Sequence, residues 1–491
     1  MSNYILGIDQ STQGTKALLF NKRGDNIARC DLSHRQIVDG HGWVEHDLEE
    51  ILNNTVAVVK KVIAESGIDK GQIAGIGISN QRETAAVWDR ETGCPVCNAI
   101  VWQCARGADI CKGIERAGQA QEIKRRTGLN LSPYFSAAKI AWVLQNIPDA
   151  QARAEAGKLC CGTIDSWLVY RLTGGACFKT DFSNASRTQL FNINTLKWDE
   201  TVCGWFGIPV ACLARVCESN SRFGETDLFG FFDKPVPIHS VMGDSHAALY
   251  GQGCHQPGMI KATYGTGSSV MMNIGGTPIF DRDIVTSLAW GMDGKVEYVL
   301  EGNINYTGAV ITWLKDQVKL VDSSRVGPIA MEADPADRTY LVPAFSGLGA
   351  PYWDSGCTGI LTGITRSTGR AEIVKAAEEC IAYQIADNVN LMSCCSGVPI
   401  KELRVDGGPT RDRFLMQFQS DILDIPIDVP DAEELSAIGA AYAAGIALRV
   451  FDRDEVFGRM KRTAFTPVME EARRKEKYDG WKAAVAQTLK K

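Results

Sequence analysis

Twice in this chain an apolar strand breaks into a turn of hydroxyl residues and glycine, then returns as a second strand. The first copy runs from Tyr4–Asp9 through Gln10-Ser11-Thr12-Gln13-Gly14-Thr15 to Lys16–Asn21. The second runs from Ile260–Tyr264 through Gly265-Thr266-Gly267-Ser268-Ser269 to Val270–Asn273. Such a turn presents backbone N–H groups and side-chain donors together, which suits phosphate oxygens. A plain hairpin turn reads the same way, but it does not need the acid that closes the first strand. A carboxylate such as Asp9 beside phosphates usually acts through a bound Mg²⁺. One such device in each half is a sign of duplicated architecture. At 491 residues the chain far exceeds the ~150 of a typical domain. Two large α/β domains are therefore expected, over 1–252 and 253–491.

Composition narrows the class. Hydrophobic residues make up 45% and charged residues 22%, with a net charge of −6, as in an ordinary globular protein. A nucleic-acid binder would usually show a basic face, so no nucleic-acid partner is expected. No apolar run approaches the ~18 residues of a membrane span, and the N-terminus lacks a signal-peptide pattern. A cytoplasmic protein is expected, with its 16 cysteines as reduced thiols. Cys94 and Cys97 form a C-x-x-C without a second pair at ligand spacing. The surrounding Glu91-Thr92-Gly93-Cys94-Pro95 reads as a hairpin turn in preference to a zinc site.

Between the two turns, the stretch Val236–Met242 reads as a buried strand that stops at Gly243 and is followed at once by Asp244. Asp244 then opens a small-residue helix. Two readings fit it: an N-cap, the commoner use of Asp at such a junction, and a functional carboxylate at a cleft. Arg82-Glu83 is a polar pair wedged between the strands Ile73–Ile78 and Ala85–Trp88. Alone it reads more readily as a structural ion pair than as a polyol clamp. Trp102 ends a short strand at Ala99, and Tyr134 lies in a loop before a helix over 137–146 that carries Lys139. Further helices are expected over 48–66, 112–128, from Gly308, over 411–422 and over 433–449. The glycines of the 433–449 helix imply close packing. The hydroxyl-rich stretch 180–188 reads as a hydrogen-bonded loop core. Leu403–Asp406 is a strand ending in Gly407-Gly408, where a nucleotide could approach the backbone. Tyr478, Trp481 and Val485 are the residues expected to pin the charged tail.

Taken together these pieces resemble the FGGY family of carbohydrate kinases, and within it the glycerol kinases. The resemblance runs nearly end to end, through Asp9-Gln10-x-Thr12, Asn80-Gln81-Arg82-Glu83-Thr84, Ala99–Cys104 and Tyr134-Phe135-Ser136. It continues through Gly162–Asp165, Asn184–Thr188, Gly243-Asp244, Tyr264–Gly267, Val342–Trp353, Val405–Gly408 and Phe414–Asp421. It implies a two-domain actin-like ATPase (ribonuclease H-like) fold with an interdomain cleft, and transfer of phosphate from Mg²⁺-ATP to a terminal hydroxyl of a polyol or sugar. Homodimers or homotetramers are expected of such proteins. On matching positions, Asp244 is the implied catalytic base, and Arg82, Glu83, Trp102 and Tyr134 the acceptor pocket. Thr12, Gln13, Lys16, Thr266, Gly267, Gly308, Thr312, Gly408 and Asp412 are the implied nucleotide contacts, with Asp9 on the metal side.

The chain departs from the glycerol kinase pattern at several of these places. It has Gly243-Asp244-Ser245-His246 where Gly-Asp-Gln-Gln is usual, and Ser268-Ser269 where Cys-Phe is usual. Thr12-Gln13-Gly14-Thr15-Lys16 replaces Thr-Thr-Ser-Ser-Arg, Thr312 replaces Gln, and Asp412 replaces Asn. Ser245 and Ser269 would enlarge the acceptor pocket. From the sequence this raises an alternative, a four- or five-carbon polyol or ketulose used at least as well as glycerol, with its extra hydroxyls met by Ser245, His246 and Ser269. A non-kinase member of the actin-like fold would need no acceptor pocket, so Arg82, Glu83, Trp102 and Tyr134 speak against it.

Overall fold

The computed structural model describes residues 3–281, 283–322, 325–354 and 356–489. Its frame is two mixed sheets, one from each half of the chain. The first has six strands in the order Gly224–Thr226, Val236–Gly243, Ile73–Asn80, Tyr4–Gln10, Gly14–Asn21, Asn26–Ser33. The second has seven, in the order Val285–Met292, Lys295–Ile304, Ser268–Gly275, Ile260–Tyr264, Leu403–Asp406, Ile427–Pro430, Arg462–Phe465. In each sheet the strand before the hydroxyl-and-glycine turn pairs antiparallel with the strand after it and parallel with a later one. The duplication read from the turns is therefore present in the strand pairing.

The strand Tyr4–Gln10 is buried on both faces, as its continuous apolar run requires of a central parallel strand. Its parallel neighbours end level with it: Gln10 pairs with Asn80, and Asn80 with Gly243. The residues that follow, Gln81-Arg82-Glu83 and Asp244, thus emerge at one edge of the sheet. Ligands of open α/β sheets lie outside this carboxyl edge. A third, five-stranded sheet contains the strands Ala85–Asp89, Ala99–Ile100 and Leu159–Thr163. Arg82-Glu83 sits between that sheet and the first one, and Glu83 takes a left-handed backbone conformation (φ 60°) to make the corner.

Most helices fall where the periodicity places them. Leu48–Ser66 is capped by Asp47 and stopped by Gly67 at φ 70°. The single helix expected over 112–128 is two, Ala108–Arg116 and Ala120–Thr127, because Gly118 at φ 75° breaks it. The helix expected over 433–449 is Leu435–Ala447. It packs on the Asp244–Gly251 helix and on strands of the first sheet, so the end of the chain returns to the half that begins it. Glycine makes this contact possible. A Cβ on Gly439 would stand 1.8 Å from the Ala247 carbonyl oxygen, and one on Gly77 would stand 2.2 Å from that of Ala440. The last helix, Glu471–Thr488, is pinned as expected: Trp481 and Val485 are buried, and Tyr478 and Trp481 both donate to Asp387.

Gly439→Ala is expected to destabilise the protein by ~1–3 kcal/mol, the usual cost of overpacking. Denaturant unfolding checks this; an unchanged midpoint would mean that the two helices can move apart freely.

Candidate active site

The cleft between the two sheets encloses about 790 Å³. From the first half, Thr12, Gln13, Arg82, Glu83, Trp102, Tyr134, Asp244 and Ser245 line it. From the second, Gly265, Thr266, Gly267 and Ser269 do. The two turns singled out in the sequence thus face one space, with Asp244 on its wall.

Asp244 is the first residue of its helix, and the N-cap is Gly243. Its carboxylate takes the N–H of Ser245 at 2.6 Å and stands 3.2 Å from Arg82 Nε, at one-third exposure. The capping reading of Asp244 is therefore set aside. The backbone carbonyl of Asp244 accepts from Ser436 Oγ at 2.9 Å, which ties this helix start to the Leu435–Ala447 helix.

Arg82 is held by a partner that sequence reasoning missed. Glu301, on the second-half strand Lys295–Ile304, accepts from both Arg82 Nη atoms at 2.9 Å each. Arg187 stands 2.9 Å from Glu301 and donates through Nε to Glu83 at 2.5 Å. Arg82 and Glu83 are 4.0 Å apart, so they are not simply each other's ion pair. The four side chains form a balanced buried set of two arginines and two glutamates. Burial would push the Glu301 carboxyl up, but Arg187 and Arg82 outweigh it and hold the carboxyl far below the usual range. The stretch 180–188 is hydrogen-bonded as expected but is not a loop: it ends the strand Lys179–Asp181 and forms the short helix Phe182–Ser186, with Asp181 accepting from Ser183, Asn184 and Ser219. An arginine inside that stretch, and an acid directly after the apolar Tyr298–Leu300, were the available signals for Arg187 and Glu301.

Trp102 donates through Nε1 to Thr12 Oγ1 at 3.0 Å and packs against Tyr134, with ring centroids 5.5 Å apart. The first turn thus holds Trp102, and Tyr134 meets Trp102 by ring packing. Ser269 lines the cleft from the strand Ser268–Gly275, and its Oγ is buried without a hydrogen-bond partner. His246 lies elsewhere. It is buried, 3.4 Å from Ser287 Oγ, and burial followed by Arg82 drives its pKa well below the ordinary histidine value. The expectation that His246 meets an acceptor hydroxyl is corrected: it is a neutral packing group.

In the second half, Gly308 starts the helix Gly308–Asp316, and its N–H bonds the Gly265 carbonyl at 2.9 Å. A Cβ there would come within 2.7 Å of that carbonyl oxygen, so glycine lets the helix sit against the turn. Thr312 lies one turn along and donates to the Gly308 carbonyl. Gly407 has φ 101°, and a Cβ would strike the Tyr264 carbonyl at 2.0 Å, whereas a Cβ on Gly408 would meet only open space. Two expected nucleotide contacts are occupied internally. Lys16 pairs with Glu434 at 2.7 Å. Asp412 caps the helix Arg413–Leu423 and also takes the Gly327 N–H at 2.9 Å.

Asp9 is buried at the end of its strand and accepts from Ser79 Oγ at 2.5 Å. Burial pushes its carboxyl up to about 6; Ser79 and Lys16 oppose this and Asp244 adds to it. Among the described residues no group of three or more His, Cys, Asp or Glu side chains is arranged to hold a metal. Mg²⁺ has other needs. It keeps most of its water and takes one or two carboxylates. Asp9 is one such carboxylate, and Asp244 is close enough to raise its pKa.

Comparison with known proteins decides the family. Residues 4–251 match the N-terminal domain model of the FGGY family of carbohydrate kinases, and residues 260–448 match its C-terminal domain model. The chain belongs to the FGGY family of carbohydrate kinases. It is 45% identical to a glycerol kinase of Bacillus licheniformis over 99% of both chains. It is 47% identical to glycerol kinase 1 of Thermotoga maritima, again over 99% of both. Among solved structures it superposes on Plasmodium falciparum glycerol kinase with ADP at a TM-score of 0.94, 34% identity, and 100% and 99% coverage of the two chains. A xylulose kinase from Lactobacillus acidophilus, 21% identical, shares the fold at 0.88, covering 99% of this chain and 97% of that one. The two-domain actin-like fold expected from the sequence is thus confirmed, as is a kinase of the carbohydrate class.

Glu301→Gln is expected to cost ~3–5 kcal/mol of stability, the usual penalty for leaving a buried charge without its partner. Chemical denaturation measures it; a loss below 1 kcal/mol would show that water or another group compensates Arg82 and Arg187.

Proposed function

We propose that this FGGY kinase transfers the terminal phosphoryl group of ATP to a primary hydroxyl of glycerol, with Asp244 as general base. The observation that carries this reading is the position of Asp244. It is a partly exposed carboxylate beside a buried arginine, facing an aromatic wall on one side and two phosphate-type turns on the other. Phosphoryl transfer needs positioning and charge neutralisation more than covalent chemistry. The acceptor lies against Trp102 and Tyr134, with Arg82 and Glu83 oriented by Glu301 and Arg187 to hold its hydroxyls. Asp244 takes the proton of the hydroxyl that attacks. Thr12, Gln13, Thr266 and Gly267 offer donors to the phosphates, and Gly308, Thr312 and Gly408 border the nucleotide. Asp9, with Asp244 beside it, would hold Mg²⁺, which when bound neutralises charge on the phosphates. The enzyme draws on ATP, which the cytoplasm supplies, and we place it there.

Glycerol is preferred to the longer acceptor. The curated relatives above are named glycerol kinase, and His246 does not face the pocket. In an ADP-release assay at fixed ATP and Mg²⁺, glycerol is expected to give a higher kcat/KM than tetritols, pentitols or pentuloses. A pentitol or pentulose that matched it would return the longer acceptor to favour.

Asp244→Asn is expected to keep the fold and ATP binding while lowering kcat by roughly 10²–10⁴, the usual range for a general base. Turnover near the wild-type rate would remove Asp244 from the chemistry. Chelation with EDTA is expected to abolish ADP release, and added Mg²⁺ to restore it.

A further inference from the structure

Lys139 lies behind the acceptor wall, on the helix Ser136–Asn146, with its side chain buried. Among the described residues no carboxylate lies within ion-pair distance of it. Its ammonium instead donates to three successive backbone carbonyls, those of Pro133 at 2.7 Å, Tyr134 at 2.5 Å and Phe135 at 3.1 Å. An ammonium has three N–H donors and no acceptor, so the three carbonyls use its full capacity. Bonds from a charged donor are the stronger kind. The clamped backbone carries Tyr134, whose ring meets Trp102. Two other contacts brace the same segment: Ser136 Oγ donates to the Glu83 carbonyl at 3.1 Å, and the Arg187 guanidinium lies 5.1 Å from the Phe135 ring centre.

We propose that Lys139 is a positioning residue for the acceptor pocket, its ammonium holding the Pro133–Phe135 backbone so that Tyr134 stands against Trp102. This rests on the acceptor reading above. Lys139 touches no acceptor, nucleotide or reacting atom. It sets where the aromatic wall stands, so its effect falls on acceptor affinity and leaves ATP affinity alone.

The clamp depends on charge. Burial pulls the Lys139 ammonium down to about 7, opposed by Glu83 and by the thiols of Cys104 and Cys111, and reinforced by Arg106. Glu83, Cys104, Cys111 and Arg106 are the charged or titratable groups that act on it most. A neutral amine has two N–H donors and a lone pair, and the lone pair would face one of the three carbonyl oxygens. The segment is therefore held below pH 7 and loosened as pH rises through it.

Steady-state kinetics from pH 6 to 8.5 test this, with KM measured separately for glycerol and ATP. In the wild type, KM for glycerol is expected to rise several-fold across the range while KM for ATP stays within twofold. In Lys139→Met, KM for glycerol is expected to be at least tenfold higher at pH 6, to be flat with pH, and to leave KM for ATP within twofold. A wild-type KM for glycerol that is flat with pH would overturn the proposal, and this arm stands even if the variant does not fold. So would a variant in which both KM values rise together, the mark of general loosening. A wild-type chain that releases no ADP with any polyol would instead remove the acceptor reading itself.

Discussion

Glu301 reaches from one half of the molecule into the other and closes a buried set of four charges. Two of them, Arg82 and Glu83, sit at the corner between the first sheet and the third. One, Arg187, caps the end of the short helix Phe182–Ser186. Burying four charges is costly, and only close pairing offsets it. The balance of two arginines against two glutamates meets that condition, and each member is useful only while the others stay in place. Asp244 is the fifth charge at this point and the only partly exposed one. It inherits its position from Arg82, and Arg82 from Glu301.

A cleft carboxylate, the proposed base, that depends on the opposite half of the chain makes the cleft more than a gap between two domains. The halves are joined by charge at Glu301 and by close glycine packing at the Leu435–Ala447 helix. Closure of such a cleft excludes water from the phosphates, which limits wasteful hydrolysis. The site is thus built on sheet edges and helix starts whose positions are set by strand register, with the aromatic wall of Trp102 and Tyr134 added from two turns outside the sheets.

The frame of this arrangement was legible in the sequence because it is local. Apolar runs ending in Asp9 or Gly243-Asp244, and the two hydroxyl-and-glycine turns, announce strands that stop at an edge. The packing role of the glycines in the 433–449 helix could be read from their cost to helix propensity. Contacts between distant segments could not be read this way. Nothing near Arg82 in the chain points to Glu301, more than two hundred residues away, and Glu83 was the only visible partner. The Lys16–Glu434 pair and the Asp412 cap of the Arg413–Leu423 helix could not be read either, because capping and pairing depend on what folds back. The break at Gly118 was missed because the polar pattern of 112–128 is continuous across a glycine in left-handed conformation.

The central claim is that Glu301 and Arg82 together place Asp244, beyond holding the halves together. A double-mutant cycle on these two residues tests it, with stability and kcat measured on the same samples. Arg82→Met with Glu301→Leu removes one charge of each sign and leaves Arg187 paired with Glu83. The account predicts that the double variant regains most of the stability lost by Glu301→Leu alone, while kcat stays depressed because Asp244 has lost its guide. Recovery of kcat in step with stability would contradict it, and would show that these charges serve the fold alone.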